Sequence, residues 1–178
     1  YVREWLGKWV NDWDALYYKF DPVRNTYDVT AIKPWGRGWE HTLGWDLGFR
    51  DDMALVVWAY HPDYPILFEA FSWKLKGALS KDVIAQIQLL EKQGVDGEPF
   101  NFVKKIADTG GGGRMYVEDV QFRLGMTFEA AKKTEKYEHV RLFNDDLMGG
   151  FVQLRPGSEL AVEMAELPKD PDWPPEDK

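Results

Sequence analysis

The chain has 178 residues, 44% of them hydrophobic and 15% aromatic with nine Trp, which is enough apolar material for one compact core and excludes a globally disordered polymer. A formal net charge of −8 excludes a broad, passive nucleic-acid surface of clustered Lys and Arg. The absence of cysteine excludes disulfide staples, thiolate zinc sites and a Cys nucleophile.

The N-terminal stretch "YVREWLGKWV" carries charges where a signal peptide needs an unbroken apolar run, and no run approaches the ~18 apolar residues of a membrane span. The chain therefore reads as soluble and intracellular, with no membrane partner. It begins with Tyr in mid-pattern, as expected of a piece of a longer polypeptide. Charge is uneven. Residues 158–178 hold seven acids against two lysines, whereas residues 100–141 hold eight Lys or Arg against six acids.

Residues 1–39 are rich in Trp, Tyr and Pro, with turn signals at "FDPVRN" and "PWGRGW", and read as an arm packing aromatic side chains on a core. The core is expected over 40–167. "HTLGWDLGF", "MALVVWAY" and "PILFEAFSW" alternate or run apolar between short turns, which predicts three strands in an antiparallel meander. In "SKDVIAQIQLLEKQG", Val83, Ile84, Ile87 and Leu90 have helical spacing, Ser80 is placed as N-cap and Gly94 as the stop. "FNFVKKIAD" is a fourth strand, reached through a helix and hence parallel to its neighbour.

"YVEDVQFRLG" then predicts a helix, "MTFEA" a short strand, and "TEKYEHVRLFNDDLMGG" a helix stopped by glycine. "FVQL" reads as a further short strand, and Ser158 caps the helix "SELAVEMAEL". Residues 168–178 form an acidic, Pro-rich tail. Ahead of "FVQL" and the last helix the order β-β-β-α-β-α-β-α is that of an α/β fold with a mixed sheet flanked by helices.

Two acids stand at predicted strand ends and are followed by glycine: Asp46 in "WDLG" and Asp108 in "ADTGGGG". If strands one and four are neighbours, the two carboxylates converge. Close carboxylates repel, and a shared proton or a divalent cation relieves the repulsion. Glycines beside each acid leave room for a backbone or phosphate to approach. Taken singly, each Asp is more commonly a turn or cap residue, and it is the two together, each followed by glycine, that point to a site. Asp51 reads as a turn residue, while Asp52 fits either a turn or a third position at the same cleft.

The glycine run has rival readings. An aspartic protease needs two Asp-Thr-Gly strands on a largely β fold, and only one is present. A kinase-like phosphate-binding fold matches "DLG" and "DTGGGG" in order but needs two large lobes. A Walker loop is excluded because no Gly-Lys-Ser/Thr follows.

"GWDLGFRDDMALVVWAY", "ADTGGGG", "AAKKTEKYEHVRLFNDDLMGGFVQL" and the preceding "REWLGKWVNDWDALYYKFDPVRN" together resemble the C-terminal nuclease domain of the large terminase subunit of tailed bacteriophages. The resemblance covers nearly the whole chain. It implies a ribonuclease H-like fold and a metal-dependent endonuclease that cuts concatemeric viral DNA during packaging. It also implies an ATPase motor domain earlier in the same parent chain, portal and small terminase subunit as partners, and the infected bacterial cytoplasm as location.

Asp46 matches the family's first acidic ligand and Asp108 its second. The third, in the family, follows a tail like "DPDWPPEDK" and is expected beyond Lys178. The implied cofactor is a pair of Mg²⁺ or Mn²⁺ ions, which suit all-oxygen ligands. Asp145 and Asp146 fall mid-helix and read as solvated. Arg50, Arg114, Lys132, Lys133 and Lys136 lie near strand ends or in the basic middle and are candidate phosphate contacts. Lys133 matches a lysine the family places near its site. His41, His61 and His139 are scattered and receive no catalytic role.

Overall fold

The computed structural model describes residues 16–17, 19–48, 52–110, 113–132 and 136–168. Strands β1 (Glu40–Asp46), β2 (Asp52–His61) and β3 (Tyr64–Lys76) form the expected antiparallel meander. Helix α1 (Ser80–Lys92) leads to β4 (Phe102–Ala107), which pairs in parallel with β1. Helix α2 (Gly113–Leu124), the short β5 (Glu129–Ala130), α3 (Lys136–Gly149), β6 (Val152–Gln153) and α4 (Glu159–Glu166) complete the chain. The six strands lie in the order β5-β4-β1-β2-β3-β6. This is the mixed, helix-flanked α/β sheet of the ribonuclease H-like class. Among the described residues no helix is long and apolar enough to cross a membrane.

The period-2 pattern of β1 and β2 sorts the sheet into two unequal faces. Leu43 and Trp45 of β1 and Met53, Leu55, Val57 and Ala59 of β2 are buried, and they pack with Val83, Ile87 and Leu90 of α1 and Val117 and Val120 of α2. The alternate residues Thr42, Gly44, Ala54, Val56 and Trp58 are only half-buried. Their face is covered at one end by a smaller cluster of Leu147, Val152, Leu154, Ala161 and Met164 and, among the described residues, stays open at the other. That open end holds the site described below.

Helix α1 buries Val83, Ile87 and Leu90, the spacing of one helical stripe. Its N-cap is Leu79 rather than Ser80. The Leu79 N–H donates to Asp82 Oδ2 at 2.9 Å, the acid's half of a capping box, so the helix starts on a residue that has no hydroxyl. Gly94 ends the helix at φ 54°, and a Cβ there would collide with the Glu98 carbonyl. Ser158, by contrast, caps α4 as expected, accepting from the Ala161 N–H at 3.2 Å.

The described part of the N-terminal region, up to residue 39, is almost free of regular structure yet well anchored. Tyr27 and Trp35 are buried in the main core and Phe20 in the smaller one. Buried Asn25 donates to the carbonyls of Leu147 and Val152, and its own carbonyl accepts from the Leu154 N–H. Buried Asn144 of α3 donates to the carbonyls of Leu16 and Val140. These amides replace the strand ladder that this segment lacks. Residues 1–15 and the expected tail past residue 168 lie outside the described residues.

Leu55, 1% exposed at the centre of the main core, sets a test of the sheet assignment. Leu55→Ala is expected to cost about 2–5 kcal/mol in urea unfolding. Val23→Ala, at a position 83% exposed, should stay within about 0.5 kcal/mol of the parent.

Candidate metal centre and cavity

The two strand-end acids are brought together by the parallel pairing of β1 and β4. Trp45 lies opposite Ala107, and the Asp108 N–H donates to the Trp45 carbonyl at 2.9 Å. Asp46 ends β1 and Asp108 directly follows β4, so the two acids leave neighbouring strands at the same level. Asp108 Oδ1 accepts from the Gly110 N–H at 2.9 Å, a local turn that fixes the carboxylate. Helix α2 then starts at Gly113, where a Cβ would stand 3.0 Å from the Asp108 carbonyl oxygen. A glycine is what allows α2 to begin this close behind the acid. Gly111 and Gly112 lie outside the described residues.

Asp46 and Asp108 line a cavity of about 330 Å³ on the open face of the sheet. Gly44, Ala54, Val56 and Ile106 supply an apolar floor, Ser72 and Lys74 come from β3, and Glu159, Leu160 and Glu163 form a wall from α4. Gly44 is part of this packing, since a Cβ there would stand 3.0 Å from Val56 Cγ1. Lys74 Nζ lies 3.4 Å from Asp52 Oδ2 and 3.4 Å from Glu163 Oε2, bridging β2 and α4 across β3. The Glu163 charge first, and then the hydrogen bond to Asp52, push the Lys74 ammonium above its ordinary pKa.

Asp52, open in sequence to a turn or a ligand role, begins β2 and is paired with Lys74. Asp145 and Asp146 are exposed on α3, away from the cavity lining. Arg114 follows Gly113 on α2, is 82% exposed in its side chain and pairs with Glu118 at 2.9 Å. Lys132 is exposed just past β5, and Lys136 opens α3. Arg50, Asp51 and Lys133 lie outside the described residues. His41 is buried, its ring nitrogens engaged by the Pro34 carbonyl and the Asn101 N–H.

Lys74, Glu159 and Glu163 escaped the sequence reading. Strand β3 runs on to Lys76, three residues past the apolar stretch that marks it, so Lys74 fell outside the expected strand. The signal was present in the alternation of Ser72, Lys74 and Lys76, and in the i,i+4 acids of a well-capped helix.

The donor set suits a hard divalent cation, because Asp46 and Asp108 offer carboxylate oxygens and the cavity lining holds no histidine among the described residues. Among the described residues, no three Asp, Glu or His side chains stand close enough together to hold a metal ion. The arrangement is thus two convergent acids, with Asp52 and Glu163 drawn to Lys74 at the rim.

Helix α4 is itself held from below by a buried acid. Glu69 is fully buried; its Oε2 accepts from the Ser158 hydroxyl at 2.7 Å and from the Arg155 N–H at 3.2 Å, while Oε1 has no partner among the described residues. Burial raises the Glu69 pKa, and the hydrogen bonds from Ser158 and Arg155 oppose it without prevailing.

No known family's sequence profile matches the chain, and no curated protein matches it. Solved structures do. The large terminase of a thermophilic bacteriophage, in complex with ATP-gamma-S, matches with a TM-score of 0.67 at 16% identity, over 93% of this chain and 40% of that one. The nuclease domain of the P22 large terminase matches with a TM-score of 0.59 at 10% identity, over 84% of this chain and 76% of that one. The nuclease domain of the bacteriophage SPP1 large terminase with bound Mn matches with a TM-score of 0.56 at 17% identity, over 84% and 80%. The chain therefore has the fold of terminase nuclease domains, as the sequence motifs led us to expect, and spans about two fifths of the thermophilic-phage terminase.

The Glu69 anchor gives a pH-dependent outcome. Its folded pKa is raised above the ordinary 4.5, so the stability it contributes is fully present below that value and is lost as pH rises through the folded pKa. Glu69→Gln keeps an acceptor for Ser158 and stays neutral. The Tm of the parent relative to this variant should fall as pH rises above 4.5; a difference that stays constant with pH would contradict the assignment.

Proposed function

We propose that the chain is a divalent-metal-dependent DNA endonuclease module of a phage packaging terminase, acting on double-stranded DNA. The observation that carries this reading is the pairing of Asp46 with Asp108 at adjoining ends of β1 and β4, at the edge of a cavity, in a chain with the terminase nuclease fold. Mn bound to the SPP1 domain supports a divalent cation here. Asp46 and Asp108 would hold it, with Asp52 as a candidate for a further ligand and the remaining acid expected beyond Lys178. When bound, Mg²⁺ or Mn²⁺ ions acidify a water and neutralise charge on the departing 3′ oxygen, and a two-metal site does both at once.

The chain's own residues set the stage for that chemistry. The Gly110 N–H holds Oδ1 of Asp108 and so sets the direction in which this carboxylate meets a cation. Gly44 and Ala54 keep the floor low, so a sugar-phosphate backbone can lie against the sheet at the level of the acids. Arg50, Arg114, Lys133 and Lys136 are proposed to contact flanking phosphates, which position DNA without reading its sequence. The ATP-gamma-S complex of the longer thermophilic-phage protein supports an ATPase motor as a partner within one parent chain. Portal, small terminase subunit and the host cytoplasm complete the proposed setting.

A second reading, a docking module of the packaging motor that does not cut, is favoured by the lack of a three-acid cluster among the described residues. Plasmid DNA with Mn²⁺ separates the two. The endonuclease reading expects nicking that EDTA abolishes and that Asp46→Asn with Asp108→Asn lowers by at least about a hundredfold. Plasmid left intact by the parent, or cut equally well by the double variant, would leave only the docking role.

A further inference from the structure

Lys74 is the only basic side chain among the described residues lining the cavity, against the four acids Asp46, Asp108, Glu159 and Glu163. Asp46 lies directly opposite Ala54, and Ala54 directly opposite Lys74, so the three form a straight row across β1, β2 and β3. Directly opposed residues share a face, and strands lie about 4.8 Å apart, which puts the Lys74 Cα roughly 10 Å from that of Asp46. Within that row the residue between them is Ala54, whose side chain is a single methyl group. A cation and a strand-end acid thus face the same trough.

The manner in which Lys74 is held does not suit a structural strap. Its contacts to Asp52 and Glu163 are both 3.4 Å, long for charge-assisted bonds, and the three side chains are 34%, 34% and 46% exposed. Pairs this open to water contribute little to folding. They do keep a compact ammonium charged, loosely tethered and exchangeable. An ammonium is a point charge with three N–H donors, suited to a phosphate oxygen from several directions.

We infer that Lys74 contacts a DNA phosphate in this site: it leaves Asp52 or Glu163 to donate to a non-bridging oxygen of the strand lying along the Asp46–Ala54–Lys74 row. The inference rests on the nuclease reading for the identity of the ligand. It differs from it in placing a specific DNA contact three strands away from Asp108, on the side of the cavity opposite the basic middle of the sequence.

The test measures binding of the 178-residue chain to a fluorescent duplex oligonucleotide in Ca²⁺ over a range of salt, beside plasmid nicking in Mn²⁺ and a Tm for every variant. Lys74→Gln should weaken binding about 5- to 20-fold and reduce the log affinity versus log salt slope by about one. Lys74→Arg, which keeps the charge, should restore the slope. Glu163→Gln, which frees the ammonium from one counter-ion, should bind DNA at least as tightly as the parent. A strap would behave differently, with Lys74→Gln and Glu163→Gln lowering Tm together and leaving the slope alone, and that result overturns the inference. Absence of duplex binding by the parent overturns it as well. Loss of slope in Lys74→Gln with plasmid uncut in Mn²⁺ upholds Lys74 as a phosphate contact and removes only the nuclease reading.

Discussion

The site depends on one register: β4 lies parallel to β1 with Ala107 opposite Trp45. A parallel pair ends its strands on the same side, so the residues just past the ladder emerge together. Because side chains alternate, a slip of one residue would send Asp46 into the apolar core and Trp45 into the cavity. The register is held by burial of Leu43 and Trp45 on one side and, at the last rung, by the Asp108 N–H bonded to the Trp45 carbonyl. The same burial that stabilises the sheet therefore aims the acids.

The two faces of the sheet have different tasks. Helices α1 and α2 seal one face with aliphatic side chains of ordinary helical spacing. Among the described residues the other face is sealed only where α3, α4 and β6 meet it, and the remainder is a trough with carboxylates at its edge. Glu69 links these roles. A buried acid under the start of α4 is costly unless protonated or bonded, and it fixes the Ser158 cap of the helix that carries Glu159 and Glu163. Sheet, helix cap and cavity wall are in this way one mechanical unit.

The order of elements, the antiparallel meander, the parallel β4 and the placing of Asp46 and Asp108 at strand ends were legible in sequence, because alternation, capping and Gly or Asp punctuation are local signals. The α1 cap was misplaced by one residue, since Asp82 can serve the Leu79 N–H without a hydroxyl. The rim of the cavity was not legible. Lys74, Glu159 and Glu163 are far apart in sequence and look like ordinary surface charge on two different elements. The pairing of β2 with β3 brings Lys74 to Asp52, and only the folding of α4 back over β3 adds Glu163 to Lys74 and Glu159 to the same cavity wall.

Gly113 and Gly44 carry a wider consequence. Each works by having no Cβ: one lets a helix start against the Asp108 carbonyl, the other makes room for Val56. A centre framed by main chain in this manner makes demands on few side chains. Two glycines must stand where the main chain or a neighbour comes this close, while the sheet behind them asks only for apolar residues of suitable volume at alternate positions. Sequences meeting so short a specification can drift far apart and still superpose. The P22 and SPP1 domains share this fold at 10% and 17% identity.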